Sequence, residues 1–335
     1  MARLVVTGGM GFIGSNFVRR RLASKEDEIL VVDKLTYAGN PNNLKMFKDD
    51  PRLTFVQGDV CDRALMDRAV RDADAVIHFA AETHVDRSIL DAGSFILTDV
   101  VGTYSVLEAC RKADVARLVH ISTDEVYGEA GRVPCTEDAT LLPKSPYAAS
   151  KAGADRLVWS YFTTYGLPAV ISRCTNNYGP YQHPEKLIPL FVTNALEDQP
   201  LPMYGDGSSS RDWIHVDDHC AALDLLLASG GVEGEVFNIG ADQERDVRTV
   251  GAAILQALGK PPSLLRSVTD RPGNVARHAV DWTKIRMRLG WKPSRSFEEG
   301  LRETVEWYRR NPEWWKPVKS GEFRTYYEVQ YRGLA

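Results

Sequence analysis

The first half of the chain alternates short β-branched runs with stretches that repeat apolar side chains every three or four positions. Leu4–Thr7, Ile29–Asp33, Leu53–Gln57, Ala75–Phe79, Leu118–Ser122 and Ala169–Cys174 read as strands. Between them, Ile13–Ala23, Ala64–Val70, Phe95–Lys112 and Ala148–Tyr165 read as helices. The strands are apolar along nearly their whole length, so both faces must be covered. That pattern predicts a parallel sheet with helices on either side. From about Tyr178 the texture changes. Gly179-Pro180, Pro184, Pro189, Pro200-Leu201-Pro202 and Gly205-Asp206-Gly207 cut the chain into loops and short helices. Two longer helices are expected over Val247–Leu258 and Phe297–Arg310.

Composition narrows the class. The 335 residues are 44% hydrophobic and 26% charged, which is enough apolar material for a sizeable core. Basic and acidic side chains number 41 and 45, so no overall field recruits nucleic acid or anionic lipid. No apolar run reaches the ~18 residues of a spanning helix. The N-terminus reads as a strand running into glycines rather than as a secretory signal. The five cysteines, Cys61, Cys110, Cys135, Cys174 and Cys220, are scattered without a C-x-x-C, as suits reduced thiols. The expectation is a cytoplasmic enzyme with no nucleic-acid or membrane partner.

The strand Leu4–Thr7 leads into Gly8-Gly9-Met10-Gly11-Phe12-Ile13-Gly14. Glycines there let the backbone turn tightly and approach a pyrophosphate at a helix N-terminus, where free N–H groups and the dipole favour anions. Asp33 ends the next strand, where a carboxylate accepts from a ribose 2′-hydroxyl and repels a 2′-phosphate. NAD is therefore the expected cofactor. The fold class becomes α/β, a Rossmann-type doubly wound parallel sheet with a smaller mixed α/β C-terminal lobe. Residues 1–178 would form the NAD-binding domain, with 213–240 returning to it, and 179–335 mainly the substrate lobe.

Tyr147 and Lys151 stand at i and i+4, on one face of the helix after Pro146. A nearby ammonium would lower the phenol's pKa, so that Tyr147 could take a hydroxyl proton near neutral pH. In isolation such a pair is as readily a surface feature. The run Ser122-Thr123-Asp124-Glu125-Val126-Tyr127-Gly128, however, follows an apolar strand and puts its polar residues at the carboxyl end, where open α/β sheets bind ligands.

The Y-x-x-x-K pair, the glycine turn and the Ser-Thr at that strand end together resemble the extended short-chain dehydrogenase/reductase superfamily. Within it, Thr123-Asp124-Glu125-Val126-Tyr127-Gly128 resembles the nucleotide-sugar 4,6-dehydratases. The resemblance implies an NDP-glucose substrate, with dTDP-glucose foremost; a UDP-sugar epimerase or dehydratase, or an inactive NAD-binding sensor, are the alternatives. It also implies roles. Gly8, Gly11, Phe12, Ile13 and Gly14 would hold the cofactor's phosphates. Asp33, Lys34, Leu35 and Thr36 would hold its adenosine ribose, with Asp59 and Val60 beside the adenine. Phe79, Ala80, Ala81, Glu82, Thr98 and Asn177 would lie along the rest of the cofactor, with Tyr147 and Lys151 at its reactive end. Thr83, Thr123, Asn176, Glu185, Lys186, Leu187, Pro202, Tyr204, Arg211, His219, Asn238, Arg271 and Asn274 would bind the nucleotide sugar. A guanidinium fork matches phosphate oxygens, which suits Arg211 and Arg271.

In the chemistry implied, Tyr147 takes the proton of the glucose 4-hydroxyl while hydride passes to NAD, and Thr123 bonds the same oxygen. The 4-ketone acidifies the C5 hydrogen. Glu125 removes it, protonated Asp124 protonates the departing C6 hydroxyl, and hydride returns to C6. Adjacent carboxyl groups that are partly buried divide naturally into one acid and one base. The resemblance also implies a homodimer built through Phe95–Lys112 and Ala148–Tyr165. The sequence adds only that Leu157, Tyr161 and Phe162 recur at helical spacing, which core burial would explain equally.

His215 and His219 have H-x-x-x-H spacing, but no glutamate follows the first and Asp217 reads as a helix cap, so no metal is expected. Three departures from the family pattern stand out. Asp99 stands for a usual Asn, Asn274-Val275 for His-Asp, and His278 for Tyr.

Overall fold

In a computed structural model the described residues are 2–270 and 272–320, together with Phe323, Thr325, Tyr327, Gln330 and Tyr331. Six strands come in the order expected: β1 (Arg3–Thr7), β2 (Glu28–Asp33), β3 (Leu53–Gln57), β4 (Ala75–His78), β5 (Arg117–Thr123) and β6 (Ala169–Cys174). Their connections carry α1 (Phe12–Ser24), α2 (Arg63–Val70), α3 (Val85–Leu90), α4 (Ala92–Phe95), α5 (Thr103–Ala113) and α6 (Pro146–Tyr165). The second half of the chain adds β7 (Asn176–Tyr178), α7 (Leu187–Leu196), β8 (Leu201–Tyr204), β9 (Ser210–His215), α8 (Val216–Ala228) and β10 (Val236–Ile239). It continues with β11 (Glu244–Asp246), α9 (Val247–Leu258), β12 (Leu265–Val268), β13 (Arg277–His278), α10 (Thr283–Leu289), α11 (Phe297–Arg310) and α12 (Pro312–Val318).

The main sheet is seven-stranded and parallel throughout, in the order β10-β6-β5-β4-β1-β2-β3. The reversal of strand order between β1 and β4 opens a crevice beyond their carboxyl ends, the place where doubly wound sheets take ligands. One apolar layer, with Leu4, Val6, Phe17, Val119 and Leu223, covers one face; Val5, Val76, Leu107, Leu118 and Val158 cover the other. A third cluster, built on Phe191, Ile254, Phe297, Tyr308 and Trp315, fills the C-terminal lobe. Its small sheet joins β11, β9 and β13, with β7 against β9.

Several sequence expectations need correction. Phe95–Lys112 is not a uniform helix, because Ile96–Gly102 is a π-helical turn between α4 and α5. His215, not Asp217, caps α8; its Nδ1 accepts the Asp217 N–H at 3.3 Å. The stretch after Tyr178 holds a ten-residue helix, α7, in spite of Pro189. That proline occupies the first turn, where its missing N–H costs no helical hydrogen bond.

One polar assembly lies inside the apolar layers. Arg173 is 1% exposed; its Nε donates to Asp155 Oδ2 at 2.8 Å and its Nη1 to the Tyr127 hydroxyl at 2.9 Å. Burial alone would raise the Asp155 pKa, but the His120 hydrogen bond and Arg173 hold it below the usual carboxylate range. Arg173→Met should therefore cost about 3–5 kcal/mol, because it leaves a buried charge uncompensated. Urea unfolding monitored by circular dichroism checks this, and a loss below about 1 kcal/mol would refute it.

Candidate active site

The glycine turn is built as close approach requires. Gly8 has φ +69°, and a Cβ there would sit 2.6 Å from the Ala80 nitrogen. A Cβ on Gly14 would sit 2.4 Å from the Gly8 carbonyl oxygen. Gly11 is the N-cap of α1 and no side chain caps that helix, so its first N–H groups remain for an anion. Asp33 accepts the Met10 N–H at 2.9 Å through Oδ2 and the Leu35 N–H at 2.8 Å through Oδ1. These bonds fix the carboxylate at the cavity wall, with lone pairs left for a ribose hydroxyl. Lys34 and Asp59 pair at 2.7 Å on the same rim.

This turn opens on a cavity of about 390 Å³ that runs from the sheet into the C-terminal lobe. Gly8, Gly11, Phe12, Ile13, Gly14, Asp33, Lys34, Thr36, Asp59, Val60, Phe79, Ala80, Ala81, Glu82, Thr98 and Asn177 line it on the sheet side. Thr123, Asp124, Glu125, Tyr147 and Lys151 stand at its waist. Thr83, Asn176, Glu185, Lys186, Leu187, Pro202, Tyr204, Arg211 and Asn274 line the far end. The glycine cradle, the uncapped helix and the carboxylate at the second strand end all fit a dinucleotide whose 2′-hydroxyl is free.

At the waist, Ser145 caps α6 through the Ala148 N–H, and Pro146 follows at a position that needs no N–H. Tyr147 and Lys151 then share one face, a turn apart. Lys151 Nζ donates to the Ile121 carbonyl at 2.7 Å, which anchors it to β5. The expected lowering of the Tyr147 phenol is not found. Burial, together with the carboxylates of Glu125 and Asp99, pushes it well above its ordinary value, against a hydrogen bond with Thr123. Thr123 caps the following 3₁₀ turn by accepting the Glu125 N–H at 3.2 Å, and its hydroxyl donates to Asp124 Oδ1 at 3.2 Å.

Asp124 is 3% exposed, and its Oδ2 has no hydrogen-bond partner among the described residues. Burial and the neighbouring Glu125 raise it to about 8, in spite of Arg211. A carboxyl group so placed is protonated at neutral pH and can donate.

At the far end, Glu185 would be raised by burial, yet His84, His183, Lys186 and Arg87 pull it down to about 2. Arg87 Nε donates to it at 3.0 Å while the guanidinium lies 3.6 Å from the Tyr37 ring centroid. The Tyr204 hydroxyl donates to Asp86 Oδ2 at 2.9 Å. Asn274 donates to Asp270 Oδ1 at 2.9 Å and to Ser209 Oγ at 3.2 Å, and its Oδ1 lies 3.4 Å from Arg211 Nη2.

Not every expected site residue reaches the cavity. Leu35 adopts φ +58° and bonds Asp33 through its N–H, but its side chain does not line the wall. His219 is buried behind Asn177, with Nδ1 2.9 Å from Asn177 Oδ1, and burial lowers it to about 3. It is a neutral support for Asn177. Asn238 is fully committed elsewhere: Oδ1 accepts the Tyr127 hydroxyl at 2.7 Å, and Nδ2 donates to the Cys135 and Asp281 carbonyls at 2.9 and 3.1 Å. It ties loops together beneath the site, and its side chain does not line the cavity. Arg271 lies outside the described residues. Conversely, Gln182, His183 and Tyr331 line the cavity without any motif having pointed to them.

Comparison with known proteins agrees with this geometry. The family described as GDP-mannose 4,6 dehydratase matches residues 5–304. The dTDP-glucose 4,6-dehydratase of Streptomyces niveus is 49% identical, over 96% of this chain and 97% of the relative. DesIV, a dTDP-glucose 4,6-dehydratase from Streptomyces venezuelae solved with NAD and dTDP bound, superposes with a TM-score of 0.93 at 52% identity. That match covers 95% of this chain and all of the other. The dTDP-glucose 4,6-dehydratase of Bacillus anthracis, solved with NAD, gives 0.89 at 46% identity over 95% of this chain and 100% of its own.

Proposed function

The chain belongs to the nucleotide-sugar 4,6-dehydratase family, and from that premise we propose that it converts dTDP-glucose to dTDP-4-keto-6-deoxyglucose with NAD as a recycled cofactor. It is a hydro-lyase. Bound NAD supplies a hydride acceptor for C4 and a hydride donor for C6. The chain's own residues move the protons. Tyr147 takes the proton of the 4-hydroxyl and Thr123 bonds the same oxygen. Glu125 removes the C5 proton that the new ketone acidifies, and Asp124 gives its proton to the C6 hydroxyl, which leaves as water. As hydride returns to C6, C5 takes a proton back from Glu125 or solvent, and the proton that Tyr147 took from the 4-hydroxyl makes good the one Asp124 gave to water, so protons balance over the cycle.

The observation that carries this reading is Asp124, buried, held protonated at neutral pH, and adjacent to a second carboxyl on the same turn. An epimerization at C4 needs no such acid. Incubation with a panel of NDP-hexoses should yield a 4-keto-6-deoxy product from dTDP-glucose. A 4-epimer as the product would contradict the reading. Because the acid must stay protonated, kcat should fall as pH rises through about 8.

The nucleotide end carries a second expectation. Asn274 holds Asp270 and approaches Arg211, which suits a guanidinium set for a diphosphate. Asn274→His adds a longer side chain able to become cationic. It should lower KM for dTDP-glucose and leave kcat nearly unchanged, the mark of uniform binding. A changed kcat at constant KM would place Asn274 in the chemistry instead.

We place the enzyme in the cytoplasm as a homodimer. Leu90, Ile96, Leu97, Val101, Tyr104, Trp159 and Tyr165 are exposed along the helical stretch from α3 to α5 and on α6. These apolar side chains form the face on which a second copy would pack. Tyr161, by contrast, is buried and donates to Glu108 Oε1 at 2.8 Å, so it belongs to the core. A monomeric mass at micromolar concentration would refute the dimer.

A further inference from the structure

Behind the cavity wall lies a carboxylate that the proton transfers above leave unused. Asp99 sits in the π-helical turn Ile96–Gly102 and is 1% exposed. Such turns are often found at functional sites. Its Oδ1 accepts the Glu82 backbone N–H at 2.8 Å, and its Oδ2 accepts the Ser150 hydroxyl at 2.6 Å. Glu82 lines the cofactor side of the cavity, while Ser150 stands between Tyr147 and Lys151 on α6. Ser150 Oγ is also 2.8 Å from the Tyr147 carbonyl oxygen. A hydroxyl has one proton, so Ser150 donates to Asp99 or to the Tyr147 carbonyl but not to both.

An ionised Asp99 offers acceptors only and takes that proton. A protonated Asp99 presents a donor to Ser150 Oγ instead, and the serine hydroxyl then turns to the Tyr147 carbonyl. Accepting the reading of Tyr147 as the base, we propose that Asp99 is a positioning residue for it: the carboxylate directs the Ser150 hydroxyl and sets a negative charge close to the Tyr147 phenol. The titratable and charged groups that face Asp99 are Glu82, from the segment after β4, and Tyr147 and Lys151, from α6. Burial raises Asp99 to about 6 against the pull of Lys151 and its two hydrogen bonds. Burial and the charge of Asp99 raise Glu82 to about 7. The switch therefore falls close to neutral pH.

Asparagine is the informative replacement. Its carbonyl can keep the Glu82 bond and its amide can donate to Ser150, so Asp99→Asn reproduces the protonated geometry without the charge. Removing a nearby anion favours the phenolate. The acid limb of the kcat–pH profile with dTDP-glucose should then move to lower pH by about one unit, with KM unchanged. An independent readout needs no turnover. Infrared titration of the full chain alone should show a carboxylic-acid C=O band growing as pH falls through about 6, and Asp99→Asn should lack it. Ser150→Ala, which removes a donor to the carboxylate, should make the band appear at higher pH. No band near pH 6 attributable to Asp99, or an acid limb unmoved in Asp99→Asn, would overturn the proposal. If the band behaves as expected and no sugar is turned over, the reaction assigned to the chain fails and the Asp99–Ser150 switch stands.

Discussion

Tyr147→Phe should lower kcat by ~10²–10⁴ with little change in KM, since a positioned base contributes a factor of that size. The substitution removes one oxygen and keeps the ring, which packs edge-on against Phe95 with centroids 6.2 Å apart. The helix and its cap are untouched, so the loss belongs to chemistry rather than folding. In the chain alone, burial and the Glu125 and Asp99 carboxylates disfavour the phenolate. The base must therefore gain its strength within the assembled complex, where a bound oxidised cofactor would bring positive charge into the cavity that Tyr147 lines. Full activity should also require the ammonium of Lys151, held by the Ile121 carbonyl at 2.7 Å. Rapid-mixing and steady-state kinetics of Tyr147→Phe check this, and a loss under tenfold would show that the C4 proton leaves by another route.

The two carboxyl groups should fail in different ways. Glu125→Gln keeps shape and removes the base, so C4 oxidation proceeds, elimination stalls, and enzyme-bound NADH accumulates. Asp124→Asn replaces the buried acid whose Oδ2 has no hydrogen-bond partner among the described residues. Each should cost ~10²–10⁴ in overall rate. They separate in solvent exchange of the C5 hydrogen, which should survive in Asp124→Asn and be lost in Glu125→Gln. Equal loss in both would mean that the pair is wrongly assigned.

Much of the fold was legible because a parallel sheet buried on both faces writes its strands as unbroken apolar runs. The first six strands fall within a residue or so of their expected bounds, and α9 and α11 match theirs. The C-terminal lobe was opaque for physical reasons. β11 and β13 are three and two residues long and pair with β9 far away in sequence, so no local period marks them. Pro189 suggested a break where it only occupies the first turn of α7. A π turn has no distinct hydrophobic period, so Ile96–Gly102 read as ordinary helix.

At the site, spacing alone located the glycine turn, Asp33 and the Tyr147–Lys151 face, because each is a local device. Asn238 shows the limit of motif matching. Its partners, Tyr127, Cys135 and Asp281, come from distant loops, and only the fold reveals that its amide is consumed by them. Tyr331 is the converse case, reaching the cavity from the far end of the chain, where no spacing could announce it.

The central claim is that one cofactor carries hydride from C4 to C6 of a single sugar while Tyr147, Glu125 and Asp124 move the protons. dTDP-glucose deuterated at C4, turned over in ordinary water, tests it directly. The account predicts deuterium at C6 of the 4-keto-6-deoxy product, a solvent hydrogen at C5, and no net NADH; deuterium released to water, or retained at C4, would contradict it.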